Sequence, residues 1–475
     1  MPQLELLERK TNRLFIYLSI IFSIIVAFVL VKVNFWIALT AALGLGVLMV
    51  TFTNTDFAIY ILIFSMLLSP EFGERTTSGG GVTIRIDDII LAIISFTWLA
   101  KTAINKELGL FRKTPLNKPI AIYLFICFLS TAFGMMSGRV QVLTGLFFVL
   151  KYAQYFLVYF MVINNIRTKK QIDNFVVALI VTYVIVTISA LLQIPTGRRV
   201  TAPFEGDAGE PNTLGGYLIF IIAINLSLIL TPGIIEKPAL RRSLLLITAL
   251  SVAPYLLTNS RGSWVAGIPV VIAYIILSKK RWMIIAFVAA LVTLAPYIFP
   301  RTVIDRVKYT FTPQHGYAAK LQERVGNITI DTSASERIRS WRAAFKDLPK
   351  HPLFGFGITG WRFLDAQYIR VLIETGLVGL AAFLYLLYSI LNITYKIYKN
   401  AQIPFFKAFA MGFFVATLAM MTHGLGANTF IIIRIMEPFY LVCGLVLAIP
   451  EIEKIELEKL RLMEEQAART KLGNL

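Results

Sequence analysis

Four clusters in this 475-residue chain combine fixed positive charge with groups that bind or activate hydroxyls. The first is Gly197-Arg198-Arg199-Val200, followed by Pro203-Phe204 and by Glu210-Pro211-Asn212. The second is Ser260-Arg261-Gly262, between two apolar segments. The third is Arg337 with Arg339 beside it and Trp341 one helical turn on. The fourth is Asp365-Ala366-Gln367-Tyr368, continued by Arg370, Glu374, Gly376 and Gly379. A guanidinium group is a permanent charge with a planar fork that matches phosphate. Several of them on one face can hold a pyrophosphate and stabilise it as a leaving group. A nearby carboxylate can take the proton of an attacking hydroxyl. Taken singly, each interfacial arginine reads first as a snorkelling or structurally paired group.

Other charged positions have plainer readings. Arg370 and Glu374, four apart on one helix, are expected to pair. So are Arg434 and Glu437, three apart, although charge inside a span leaves a functional option open. Lys151, in mid-span, neutralises a buried carboxylate or faces a polar cavity. His351 and His423 read as structural.

The elements that must position these groups are membrane helices. The chain is 57% hydrophobic and 15% charged, with mean hydropathy +0.71. Its apolar residues come in long unbroken runs, which excludes a soluble globular class and the short alternating segments of a barrel. Fourteen segments are expected to be helical: 14–33, 34–52, 56–70, 87–104, 119–136, 141–163, 172–194, 211–231, 242–258, 262–279, 281–299, 367–395, 404–423 and 428–449. The fold class is therefore an all-α polytopic membrane protein with about 12–14 spans. The leading segment reads as a span, not a cleavable signal. Cys127 and Cys443 lie in apolar runs and frame neither a disulfide nor a metal site. No metal or other cofactor is expected. The net charge of +19 suggests anchoring loops and membrane lipid as a partner, not nucleic acid.

Charge sets the orientation. One set of short connections, with the N-terminal flank, carries twenty Lys and Arg residues, among them Arg9, Lys118, Lys170, Arg242 and Lys280. The opposite set carries six, namely Arg75, Arg85, Arg139, Arg198, Arg199 and Arg261. The positive-inside rule puts the first set and both termini in the cytoplasm, and the arginine clusters outside.

Five parts follow: N-terminal helices (1–85), a transmembrane core with outward arginines (86–299), an outward loop (300–366), C-terminal helices (367–450) and a charged helical tail (451–475). The loop holds eleven Lys/Arg and six Asp/Glu from Arg301 to Asp365, a surplus that suits an anionic partner. Ser333-x-x-Glu336 reads as a capping box. Ile338, Trp341, Phe345 and Leu348 then form one apolar stripe flanked by Arg337, Arg339, Arg342 and Lys346. Such a helix fits a membrane surface or packs on the bundle.

With these motifs in order, the chain resembles the O-antigen ligase/polymerase family of membrane glycosyltransferases. The matching features are Arg85-Ile86-Asp87-Asp88, Arg199 with Pro203-Phe204 and Asn212, Ser260-Arg261-Gly262 and Arg337-x-x-x-Trp341. Pro352-Leu353-Phe354-Gly355-Phe356-Gly357 and Glu374-Thr375-Gly376-Leu377-Val378-Gly379-Leu380 complete them. The resemblance runs from about residue 85 to 450. It implies a fold akin to the C-type glycosyltransferases and a polyprenyl-diphosphate-linked glycan as donor. The acceptor would be a lipid A-core sugar, another glycan or a protein, outside the cytoplasmic membrane. By resemblance, Arg199 and Arg261 grip the diphosphate, with Arg198, Asn212, Arg337, Arg339, Trp341 and Gln367 as substrate-binding candidates. Ligases carry a histidine eleven residues before the glycine that is Gly376 here; this chain has Asp365. Asp365 is then the candidate base, and the exchange leaves polymerisation, or ligation to another acceptor, alongside lipopolysaccharide ligation. A flippase or transporter of lipid-linked sugars is the reading from a different class.

Overall fold

A computed structural model describes residues 44–52, 54–72, 84–104, 112–205, 209–235, 238–313, 322–325 and 328–473. The expected span at 14–33 and most of that at 34–52 lie outside them. The other twelve expected segments are helices: α1 (Thr55–Leu68), α2 (Ile86–Ile104), α3 (Asn117–Met136), α4 (Val142–Asn165), α5 (Lys169–Gln193), α6 (Pro211–Leu230), α7 (Pro238–Leu257), α8 (Arg261–Leu277) and α9 (Arg281–Ile298) precede the loop. The loop contributes α10 (Arg301–Phe311) and α11 (Thr332–Asp347), and α12 (Gln367–Asn400), α13 (Pro404–His423) and α14 (Ile433–Gly473) follow it. Among the described residues, eight helices are long and apolar enough to cross a membrane, and α1 and α8 are shorter apolar helices. Two antiparallel ladders of two residues per strand, Glu71–Phe72 with Ile84–Arg85 and Arg324–Val325 with Ile328–Thr329, are the β-structure among these residues. The chain is an all-α polytopic membrane protein.

The termini of the helices follow from their sequences. Thr168 caps α5 in a reciprocal box with Gln171. Pro211 and Pro404 sit in the first turns of α6 and α13, where a missing N–H costs nothing. Helix α6 is the centre of the bundle, packed on α7, α8, α13 and α14. Around it α13 meets α8 and α12, α12 meets α3, and α14 meets α4. One end of the bundle is tied by polar contacts: Gln171 Nε2 donates to Asp56 (2.8 Å), Arg241 Nη2 to the Ile229 carbonyl (2.8 Å), and the N–H groups of Gln402 and Ile403 to Glu453 (2.8 and 2.6 Å). Helix direction alternates, so the N-termini of α6, α8, α12 and α14 gather at the other end, with the C-termini of α5, α7 and α13.

Three elements differ from the sequence expectations. The cap of α11 is Asp331, whose carboxylate accepts from the Ala334 N–H (2.9 Å), not Ser333. The last span and the charged tail form one continuous helix, α14, through Pro438 and Pro450. Helix α12 is broken at Gly376 (φ 70°, ψ −171°), a conformation that only glycine adopts without strain. The break frees two carbonyls and two N–H groups, and the Pro352–Gly357 turn satisfies all four. Phe356 and Gly357 donate to the carbonyls of Ile373 and Glu374 (3.0 and 2.8 Å); Leu377 and Val378 donate to those of Pro352 and Leu353 (2.9 and 3.2 Å). The two glycine-bearing motifs are thus halves of one structure. A β-carbon on Gly376 would stand 2.2 Å from the Leu353 oxygen.

Candidate functional site

The first arginine cluster lies between α5 and α6, where a cleft of about 1020 Å³ is lined by Arg198, Arg199, Thr196, Gln193, Pro203 and Phe204, among others. Gln193 fixes this loop by accepting from the Thr201 N–H (3.0 Å) and donating to its carbonyl (3.1 Å). Arg199 is solvent-exposed. Its Nε and Nη2 donate to the carbonyls of Thr258 (2.9 Å) and Asn259 (3.2 Å), at the end of α7. Desolvation against the loop, then the cations of Arg306 and Arg261, lower its pKa from the ordinary value. An arginine still keeps its proton at neutral pH, so the shift reads as crowding of like charge.

Two residues after Asn259, helix α8 begins. Ser260 caps it, accepting from the Ser263 N–H (3.3 Å). Its hydroxyl donates to Asn212 Oδ1 (2.6 Å) and accepts from the Ser263 hydroxyl (2.8 Å). Ser263 in turn meets His423 Nε2 (3.1 Å), whose Nδ1 faces Thr429 (2.7 Å). With the Ser263 proton spent on Ser260, His423 donates from Nε2 and accepts at Nδ1 from the Thr429 hydroxyl. The chain of bonds is directional and turns the Asn212 carbonyl toward Ser260. The Asn212 amide nitrogen is left facing Glu210 (3.3 Å). Gly215 is needed for this approach, since a β-carbon there would meet Ser263 Oγ at 2.3 Å.

Arg261 Nη1 lies 2.7 Å from Asp331 Oδ2 and donates to Thr310 Oγ1 (2.9 Å). Asp331 is fully buried, and its N–H donates to the Thr310 carbonyl (3.0 Å). Arg261 therefore clamps α10 to the cap of α11. Six residues along α11, or roughly 9 Å of helix rise, Arg337 Nη2 donates to Asp365 Oδ2 (3.1 Å). One helix thus links the second cluster to the fourth. A second link is the 423–430 turn: Gln367 donates its N–H to the Gly424 carbonyl (3.0 Å), Asn428 donates to the Leu364 carbonyl (2.9 Å), and Gly426 lies against Gly262.

The remaining candidates divide. Trp341 packs in a small cluster with Ala344, Leu364, Ala366 and Ile373, and its buried Nε1 has no hydrogen-bond partner among the described residues. Leu348 joins that cluster, whereas Phe345 is exposed, so α11 is docked along only part of its stripe. Gln367 is buried and accepts from the Phe430 N–H (3.0 Å), which makes it part of the turn that holds Asp365. Arg339 pairs with Glu336 (2.9 Å) on the surface of α11. Sequence reasoning missed Asp331, Thr310 and Arg306; Arg306 and Thr310, four apart on α10, were its readable signal.

Residues 244–384 match the family model Wzy_C, O-antigen ligase. That segment, less than a third of the chain, is similar to the O-antigen ligase family. No curated protein matches the chain significantly. The ligase-like segment runs from α7 into α12 and so contains Arg261, Thr310, Asp331, Arg337 and Asp365, all five residues of the α11 linkage.

Among the buried charges, Lys151, Arg85 and Arg370 have carboxylate partners. Lys151 Nζ contacts Asp88 (3.1 Å), which also accepts from Gln154 (2.9 Å). Arg85 pairs with Asp87, and Arg370 with Glu374 (3.1 Å), as their spacing suggested for the latter. The expected Arg434–Glu437 pair is not formed. Arg434 instead donates to the carbonyls of Pro203 (2.6 Å) and Ser69 (3.2 Å), with Glu205 3.8 Å away, while Glu437 accepts from Gln154 (3.1 Å).

Proposed function

We propose that this protein transfers a polyprenyl-diphosphate-linked glycan to an acceptor hydroxyl at the outer face of the cytoplasmic membrane. The acceptor oxygen attacks the anomeric carbon and forms the new glycosidic bond. The bond to the diphosphate oxygen breaks, and its electron pair leaves with the diphosphate. The acceptor proton passes to Asp365, which Arg337 orients. Arg199 and Arg261 stabilise the departing charge, so the step as written uses no metal. Direct displacement inverts the anomeric centre. The acceptor is a lipid A-core sugar for ligation, or a second lipid-linked repeat for polymerisation.

The observation that carries this reading is the α11 linkage, in which Asp331, on Arg261, and Arg337, on Asp365, stand six residues or roughly two helical turns apart. A leaving-group clamp and a base need about that spacing around one sugar. Transport has less support, because Lys151 and Arg434, the charges it would use inside the bundle, are spent on internal partners.

Reconstituted protein given a lipid-linked donor and a candidate acceptor tests the proposal. A new glycosidic product is expected, lost in Asp365→Asn. Movement of intact donor across the bilayer without product would favour transport instead.

A further inference from the structure

We propose that Arg306 is a further anion-binding residue of this site, carried on an interfacial helix, α10, that presents it to a diphosphate borne on a lipid. The inference rests on the proposed function for the identity of the lipid, and its evidence is separate. Helix α10 turns about 90° from the apolar helix α9. If α9 runs across the bilayer, α10 runs along its surface. Its composition agrees. Val303 is buried against the protein, while Val307 and Phe311, four apart, are about half exposed with Tyr309 beside them. Arg301, Arg306 and Lys308 supply the cationic part. Exposed apolar groups next to lysine and arginine are the make-up of a helix seated at headgroup level.

Arg306 is fixed relative to the arginine clusters by Thr310. The Thr310 hydroxyl donates to the Arg306 carbonyl (3.1 Å) and accepts from Arg261 (2.9 Å). The turn bearing Arg306 is thereby pinned to the start of α8. Its charge bears on Arg199 more strongly than that of Arg261 does. The Arg306 side chain is half-buried, and its buried Nε has no hydrogen-bond partner among the described residues. The group it does meet is the Tyr309 ring, 5.8 Å from its guanidinium carbon, a weak cation–π contact. Arg261 has Asp331 for a counter-ion, and Arg199 lies against carbonyls. A guanidinium held beside two others, with a buried donor unused, is a site for a multiply charged anion. The exposed Val307 and Phe311 stripe lets the hydrocarbon of a lipid-borne ligand stay in the membrane while its diphosphate reaches Arg306.

The test is binding without turnover, on the full-length protein in phosphatidylcholine nanodiscs with no acceptor present. The probes are a polyprenyl diphosphate placed in the disc and inorganic pyrophosphate in solution. Wild-type protein is expected to bind the lipid diphosphate at least about tenfold tighter than pyrophosphate, and Arg306→Gln to weaken it by about tenfold, the loss of one charge-assisted contact. Arg306→Lys, which keeps the charge but not the fork, should fall between, and it guards against misfolding together with an unchanged gel-filtration profile. Unchanged lipid-diphosphate affinity in a well-folded Arg306→Gln overturns the assignment. Equal wild-type affinity for both probes overturns the lipid-borne part. Failure of the wild type to make glycosidic product, with the Arg306 effect intact, overturns the proposed reaction and leaves this site standing.

Discussion

Replacing Arg261 by alanine perturbs two things, and the structure lets them be separated. Its guanidinium faces Asp331, a fully buried carboxylate that also caps α11. Removing one partner of a buried ion pair costs about 3–5 kcal/mol, because the other charge is left uncompensated. Arg261 retains 19% of its side-chain exposure, so the lower end, about 3 kcal/mol, is the better figure here. That is roughly 150-fold in the equilibrium for local opening of α11. Asp331→Asn keeps a good cap, since Asn caps as well as Asp, and leaves an arginine that can extend to water. Its cost should be about 1 kcal/mol. In the double variant Arg261→Ala/Asp331→Asn no charge is buried alone, and the opening equilibrium should return to within about tenfold of wild type. Hydrogen exchange of the α11 amides measures all four states. Glycan transfer, measured on the same proteins, should stay absent in the double variant although α11 is docked again. Unchanged protection in Arg261→Ala, or no recovery in the double variant, would refute the ion-pair argument. Transfer restored in the double variant would reduce Arg261 to a structural clamp.

Three further outcomes are expected. Gly376→Ala places a methyl in a positive-φ position and against the Leu353 oxygen; a loss of at least about 2 kcal/mol should appear as a lowered unfolding midpoint. Burial, then Arg139 and Lys350, lower the His351 pKa from 6.5, so the fold favours the neutral ring that accepts from Arg139 Nη1 (2.7 Å). This contribution is full above pH 6.5 and declines as pH falls toward the folded value; the stability gap between wild type and His351→Gln should therefore narrow on acidification, and a gap that widens would contradict the sign. Lys151→Met leaves Asp88 without its cation, held by Gln154 and the Arg85 N–H, and should destabilise by about 3 kcal/mol, with Lys151→Met/Asp88→Leu recovering most of it in a thermal unfolding series.

The helices were legible because a run of apolar residues long enough to span needs no tertiary information. The convergence of clusters was legible only as alternation: even spans return the chain to the same face. Pairing within that face was not. Asp331 stands seventy positions from Arg261, and the hydrophobic pattern between them does not encode which loop carboxylate reaches which arginine. The cap of α11 was misplaced for a related reason. Ser333 fits a local rule, but Asp331 caps equally well and gains an ion pair from another helix. Arg434 shows the limit of spacing rules most clearly. It stands in the first turn of α14, and side chains lean toward a helix N-terminus. Its guanidinium therefore runs out past the helix end to Pro203 and Ser69, away from the Glu437 that spacing nominated. The exchange of histidine for Asp365 was visible in sequence, whereas its ion pair with Arg337 needed coordinates.

The two populations of charge in this chain bear on why an enzyme fits better than a carrier. Lys151, Arg85, Arg370 and Arg434 are largely buried and each meets a carboxylate or carbonyls; Lys151 with Asp88 and Arg434 with Pro203 join segments distant in sequence, whereas Arg85–Asp87 and Arg370–Glu374 are local pairs. A carrier that moved its cargo past these groups would have to open those pairs and leave charge unpaired in a low-dielectric interior, at several kcal/mol each. At the arginine-rich end the balance differs. Among the described residues, the arginine clusters place Arg198, Arg199, Arg261, Arg306 and Arg337 with Glu210, Asp331 and Asp365, five cations to three carboxylates. Arg198 and Arg199 are exposed and Arg261, Arg306 and Arg337 half-buried, so the excess keeps contact with solvent and a dianionic diphosphate would relieve it. A site of this kind attracts the charged end of a lipid-linked donor and favours the state in which that charge has grown, which is the leaving diphosphate. Neutralising the site from within, by Thr310→Asp beside Arg261, should therefore depress transfer by lowering both donor affinity and turnover. A pure binding role would lower affinity alone, so the split between KM and kcat in that variant decides whether the excess charge acts on the donor or on its departure.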